Sequence, residues 1–255
     1  MNNKISYPET GFQNCYAVED QSFWFQHRNR IIQFEVKKYL KAGDAFCDIG
    51  GGNGFVSQML QNDLGLDVTL VEPGGGADMA RKRQVKKVVH GTLEDLPAHP
   101  PLQNAGLFDV VEHIEDDVKF LTSLHQKMIV DGMVFLTVPA YQWLWSSDDV
   151  HAGHYRRYNR RSITSALEEA GFSVRECRAF FPLLVLPIYL LKTLRSGSEK
   201  NSKSAPETPT TESDHAVGLW WRPLIDPVFK IELALFRWRL LPPFGSSLIV
   251  VAQKK

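Results

Sequence analysis

The segment Asp48-Ile-Gly50-Gly51-Gly52-Asn53-Gly54 concentrates glycine directly after the apolar run Ala45-Phe-Cys-Asp-Ile49. A glycine-rich turn between a strand and a helix lets backbone N–H groups approach a ligand, because no Cβ blocks the way and positive φ is free. A phosphate and an amino-acid carboxylate can both use such a turn. About twenty residues on, Glu72 ends a second β-branched run, Asp67-Val-Thr-Leu-Val71, where a carboxylate accepts the hydroxyl protons of a ribose. Loop and acid together select an adenosine-type ligand over free phosphate.

The spacing G-G-G-N-G brings the third glycine one place too early for the G-x-G-x-x-G fingerprint of dinucleotide sites, and the chain has no Tyr-x-x-x-Lys pair. An NAD(P)-dependent reductase is therefore only an alternative reading, as is a non-catalytic module that binds the cofactor or a membrane. No G-x-x-x-x-G-K-[ST] occurs, which excludes P-loop hydrolases.

His113 lies in Phe108-Asp109-Val-Val-Glu112-His113-Ile-Glu115-Asp116. An imidazole titrates close to neutral pH, so His113 is the candidate general base, against the simpler role of packing or capping at a strand-to-helix turn. Glu115, Asp116 and Asp117 suit the positive end of the helix that follows. The stretch from Tyr141 to Tyr158 is too dense in polar and aromatic groups for core. Tyr141, Trp145, Asp149, His154, Arg157 and Tyr158 are its candidate substrate contacts, with aromatics for shape and arginine for anions. An ion-pair network within the loop is the competing reading. Asp149, His151 and His154 sit in one short loop with no preorganised ligand geometry, so no metal is expected there.

These groups need a scaffold. Short apolar runs at 45–49, 67–71, 85–89, 105–110, 133–138, 172–177 and 247–252 read as seven strands. Helical spacing recurs between several of them: Val56, Met59 and Leu60; Leu121, Leu124 and Met128; and Ile163, Ala166, Leu167 and Ala170, opened by Asn159 or Ser162 and closed by Gly171. The alternation predicts an α/β, doubly wound, Rossmann-like fold. Its seven-stranded sheet is mostly parallel, with helices on both faces and ligands at the carboxyl ends of the strands. An N-terminal helix or lid is expected over 20–41, and a hydrophobic helical hairpin inserted over 180–241 carries a flexible polar linker at 195–217. The whole of 1–255 reads as one domain with these additions.

Taken together, these motifs resemble the class I S-adenosylmethionine-dependent methyltransferase family. Its first motif, an acidic residue followed by G-x-G-x-G, is matched by Asp48, Gly50, Gly52 and Gly54, with Gly51 between them. The resemblance implies that this loop holds the methionine part of S-adenosylmethionine, that Glu72 holds the ribose and that Thr92 and Leu93 border the adenine. The segment from Phe108 to Asp116 resembles the family's D-V-L-E-H-I-x-D, which ends strand four beside the transferred methyl group and adds Phe108 to the implied cofactor contacts. Residues 137–158 and Phe23-Trp24-Phe25-Gln-His27-Arg28 are similar to T-V-P-A-x-x-x-L-W-S-x-x-D-x-x-x-G-H-x-R-R-Y and H-F-W-F-x-x-R of a bacterial group associated with cell-surface glycan and lipid genes. Arg28 is implied to reach the cofactor carboxylate or to close a lid. The expected reaction moves a methyl group to O or N of a small molecule, sugar or lipid-linked glycan.

Lysine plus arginine equal aspartate plus glutamate at 29 each, so no global field recruits nucleic acid. The cysteines Cys15, Cys47 and Cys177 are odd in number and unpaired in spacing, which fits a reducing compartment. The N-terminus lacks a secretory signal pattern, and cytoplasmic placement is expected. A helix over 180–194 would span about 22 Å against a hydrocarbon core of about 30 Å, too short to cross. With the aromatic and basic segment that follows, it is expected either to lie in a membrane interface, at the inner face, or to pack on the domain or in a homodimer.

Overall fold

The computed structural model describes residues 9–185, 189 and 218–255. Seven strands form one sheet: β1 (Ala45–Ile49), β2 (Asp67–Glu72), β3 (Lys87–His90), β4 (Ala105–Phe108), β5 (Met133–Pro139), β6 (Phe172–Phe180) and β7 (Ser247–Lys254). Their order is β3-β2-β1-β4-β5-β7-β6. The pairs β1–β2, β2–β3, β1–β4 and β4–β5 are parallel, and β7 runs antiparallel between β5 and β6. The order reverses between β1 and β4, so the crevice for a ligand opens beyond their carboxyl ends. That is where the glycine loop and Asp109 begin.

The helices are α1 (Glu9–Val18), α2 (Phe23–Val36), α3 (Phe55–Asp63), α4 (Gly76–Lys82), α5 (Asp117–Lys127), α6 (Ser147–His151), α7 (Arg160–Glu169) and α8 (Gly218–Arg237). Side chains alternate across each strand and build two cores. Leu107, Leu136 and Val250 meet Leu121 and Leu124 of α5 and Ile163 and Leu167 of α7. On the other face Phe46, Val68, Phe135 and Val251 meet Ile31 and Ile32 of α2, Leu60 of α3 and Phe229, Leu233 and Phe236 of α8. Asn159 is the N-cap of α7, and Ser162 completes a reciprocal capping box with it.

The differences from expectation have local causes. The helix expected over 20–41 is shorter, and α1 precedes it. Helix α4, just after Glu72, was also not anticipated; its few apolar side chains give weak periodicity. Strand β4 stops at Phe108 because Asp109 turns to φ +58. Strands β6 and β7 run longer than expected because each extends the other's antiparallel ladder. Of the 180–241 insertion, 182–185 and α8 are helical, and the expected linker at 195–217 lies outside the described residues. One face of α8 is buried: Glu232 Oε1 accepts the Phe181 N–H at 2.7 Å and stands 3.1 Å from His27 Nε2 of α2.

Candidate active site

The glycine loop leaves β1 with φ of +68 at Gly50, +50 at Gly52 and +78 at Gly54. Gly50 and Gly54 are also sterically obligatory. A Cβ at Gly50 would sit 2.8 Å from Val110 Cγ2, and one at Gly54 would sit 2.9 Å from the Ala80 methyl. A Cβ at Gly52 would meet nothing within 4 Å, so this backbone borders open space. Gly51 packs on Leu70 instead.

Two carboxylates flank the loop. Glu72 accepts the Gly52 N–H at 2.9 Å and the Gly74 N–H at 2.8 Å, holding the loop and the next turn together at the end of β2. Asp48 is buried; Ser57 donates to its Oδ2 at 2.6 Å, while Oδ1 is buried without a hydrogen-bond partner. Burial raises the Asp48 pKa to about 6, with Ser57 and Arg28 opposing the rise and Glu72 adding to it. A buried, unpartnered carboxylate oxygen beside open glycine backbone fits a ligand carrying an ammonium and a carboxylate.

The crevice has further walls. Thr92 donates both its N–H (2.8 Å) and its hydroxyl (2.9 Å) to Asp95, leaving its oxygen lone pairs to accept. Leu93 directs its side chain into the core, so backbone is what it can offer an adenine. The Phe108 side chain is buried in the aromatic core, stacked on Phe46 at 6.4 Å, so its backbone is what it can offer the cofactor. Sequence reasoning missed the roof. Asn53 donates to the Phe12 carbonyl of α1 at 2.7 Å, the Phe12 ring lies against Gly74 and Gly76, and Arg83 ties down Glu19 (3.1 Å) and Asp20 (2.9 Å). The asparagine inside the glycine run was the available signal.

Beyond β4, Asp109 donates its N–H to the Thr137 carbonyl at 2.9 Å and accepts the Thr137 hydroxyl at 3.0 Å. Arg28 pairs with the other Asp109 oxygen and lies over the rings of Trp24 and Phe25. Arg28 thus braces the end of β4 against α2. Glu112 is 1% exposed and its Oε2 has no hydrogen-bond partner. Burial, reinforced by Asp109, holds its carboxyl well above the usual range. The His113 and His154 rings meet edge-on at 4.7 Å. Burial and then His154 push His113 down to about 4. At neutral pH it is an uncharged imidazole of low basicity, poorly matched to acting alone as a general base.

The loop expected to read substrate divides in two. Asp149 is buried and takes hydrogen bonds from Arg157 Nε at 2.8 Å and the Ser146 N–H at 2.8 Å, with His154 Nδ1 at 2.8 Å. Burial pushes its carboxyl up, but the His154 and Arg157 contacts prevail and hold it at about 2. Tyr158 is buried and donates to Asp117 at 2.7 Å, and burial with this bond raises its pKa. Asp149 and Arg157 therefore pair with each other, as in the ion-pair reading of the loop, while Tyr158 is tied separately to Asp117. Tyr141, at φ +62, stacks on the exposed Trp143, and with half-buried Trp145 and His154 it keeps accessible surface.

Comparison with known proteins agrees with this geometry. A family model described as a methyltransferase domain matches residues 17–176. A probable S-adenosylmethionine-dependent methyltransferase of Mycolicibacterium smegmatis is 22% identical over 182 residues, covering 68% of each chain. Among solved structures, phosphoethanolamine N-methyltransferase 2 of Haemonchus contortus, in complex with S-adenosyl-L-methionine, superposes with a TM-score of 0.61 at 18% identity. That match covers 99% of this chain but 58% of the Haemonchus contortus enzyme. A putative methyltransferase of Haloferax volcanii, in complex with the activator Trm112, gives a TM-score of 0.61 at 15% identity, covering 96% and 94%. Sheet order, glycine loop and family match converge: this chain belongs to the methyltransferase-domain family and is an S-adenosylmethionine-dependent methyltransferase of the class I fold.

Proposed function

We propose that the acceptor is a hydroxyl or amine of a small molecule, sugar or lipid-linked glycan, bound between the glycine loop and the corner formed by Glu112, His113 and His154. The observation that carries this reading is the seating of Val110 on Gly50, which sets the segment after β4 against the cofactor loop. Bound S-adenosylmethionine supplies an electrophilic methyl group. Gly50 to Gly54, Asp48 and Glu72 would hold it, with Thr92 at the adenine edge. The protein contributes in-line placement and exclusion of water, which are worth several kcal/mol in such transfers (about 7–11 in well-aligned cases). Any acceptor proton leaves toward the corner lined by His113 and His154. Transfer of radiolabelled methyl to fractionated cell extract, with lipid and aqueous phases counted separately, tests the reading. Incorporation into a glycan, lipid or metabolite fraction supports it, and incorporation confined to protein or nucleic acid contradicts it.

The exposed face of α8 favours a lipid-linked acceptor within that range. Val228, Ile231 and Leu235 recur at helical spacing on α8, Trp238 just past its end is 77% exposed, and Lys230, Arg237 and Arg239 are also exposed. Among the described residues no helix is long and apolar enough to cross a membrane, so this face would rest on a surface. Co-sedimentation with anionic liposomes is expected for the full chain and lost in an I231E/W238E variant. Equal sedimentation of both, or a concentration-dependent dimer abolished by the same changes, overturns it.

A further inference from the structure

One ligand-capable atom from each of Glu112, His113 and His154 lies within 4.8 Å of the other two. Such a trio gains meaning from how its members are held. Glu112 is almost wholly buried, and its Oε2 accepts no hydrogen bond. A carboxylate oxygen withdrawn from water without a donor is costly unless a proton or a cation balances it.

Both histidines are oriented from behind. His154 Nδ1 contacts the buried Asp149 carboxylate at 2.8 Å, which leaves Nε2 as its ligand atom. His113 has a backbone hydrogen bond with Gly153, the residue before His154. A carboxylate or carbonyl behind an imidazole fixes its tautomer and raises its strength as a ligand. Asp149 is itself fixed by Arg157 and Ser146, so the support is rigid.

We propose that Glu112, His113 and His154 form a binding site for a divalent transition-metal cation, next to the methyl-transfer crevice. Two imidazole nitrogens and one carboxylate favour zinc, cobalt or iron(II) over magnesium or calcium. With metal–ligand bonds of about 2.1 Å the ligand atoms would stand about 3.4 Å apart, so binding draws the trio together by at most about 1.4 Å. The remaining coordination positions are for water or an acceptor oxygen. The site stands on the side chains alone; its role rests on the methyl-transfer reading. There, a metal-bound acceptor hydroxyl loses its proton to solvent more readily. Its oxygen bonds to the methyl carbon as the carbon–sulfur bond breaks, and sulfur leaves as a neutral thioether.

The test is a titration of chelator-treated, untagged full-length protein with Co2+, followed by visible absorption and calorimetry with no cofactor or acceptor present. One equivalent is expected to bind. Affinity should fall at least tenfold in Glu112→Gln and His154→Ala, fall about 10–100-fold in Asp149→Asn, and hold in His151→Ala, whose exposed ring meets the Ser147 carbonyl through Nδ1. Circular dichroism checks that each variant is folded. Should the site variants unfold, X-ray absorption of the cobalt-loaded native protein decides, with two imidazoles and no sulfur expected. No stoichiometric binding, equal affinity in folded Glu112→Gln and His154→Ala, or a ligand set without two imidazoles overturns the proposal. Separate calorimetry with S-adenosylmethionine tells loss of this site from failure of the methyltransferase reading.

Discussion

Val110 is seated so closely on Gly50 that a Cβ there would lie 2.8 Å from Val110 Cγ2. This contact joins the loop after β1 to the segment after β4, across the point where strand order reverses. Gly50→Ala should therefore fail twice, by the clash and by the φ of +68. A destabilisation of about 1–3 kcal/mol is expected, with at least a tenfold loss of affinity for S-adenosylhomocysteine by calorimetry. Adding Val110→Ala relieves the clash but not the φ, so rescue should be partial.

Asp48 predicts a pH dependence whose sign follows from burial. Its folded pKa, about 6, stands above the ordinary 3.8, so the folded state holds this proton more tightly than the unfolded chain. Stability from this group is full below pH about 4 and is lost as pH rises to about 6, by about 3 kcal/mol in all. Denaturant unfolding across that window should show the slope in the native protein and lose it in Asp48→Asn. If the cofactor ammonium pairs with this carboxylate, cofactor affinity should strengthen up to pH about 6 and then level off, and Asp48→Asn should flatten that profile too.

Tyr158 should behave as a brace. Tyr158→Phe removes its bond to Asp117 and is expected to cost about 1–2 kcal/mol in denaturant unfolding. KM for the acceptor should remain within twofold. A large rise in KM without loss of stability would return Tyr158 to the substrate site.

Glu232 ties the inserted helix to the body of the domain through the Phe181 N–H and His27. Glu232→Leu leaves that buried N–H unsatisfied and should cost about 1–3 kcal/mol, with cofactor affinity unchanged by calorimetry. Glu232→Gln, which can still accept, should recover most of the loss.

Much of this architecture is legible in local sequence because its signals are local. β-branched runs mark the strands, Asn159 marks a helix start, and Asp48 through Glu72 announces a strand–loop–helix–strand unit. Helix α1 was not legible because its role is a long-range contact of Phe12 with Gly74 and Gly76. The packing of the Phe108 ring was not legible because a residue's face follows from strand register: Phe108 turns into the core, and the next residue, Asp109, pairs with Arg28. The meeting of His113 with His154 depends on the path of a long loop, and weighing His154 only with its sequence neighbours Asp149 and His151 concealed Glu112. Polar density could not say which loop groups satisfy one another. In the structure Asp149 pairs with Arg157 and Tyr158 bonds Asp117, while Tyr141, Trp145 and His154 keep partly accessible side chains.

The most direct test of the cofactor crevice is calorimetric titration of S-adenosylmethionine into the native chain and into Glu72→Ala, each with its melting temperature recorded. One site in the native protein, and at least tenfold weaker binding in a still-folded Glu72→Ala, is the predicted result. Equal affinity in the two would contradict the placement of the cofactor against Glu72 and the Gly50 to Gly54 loop.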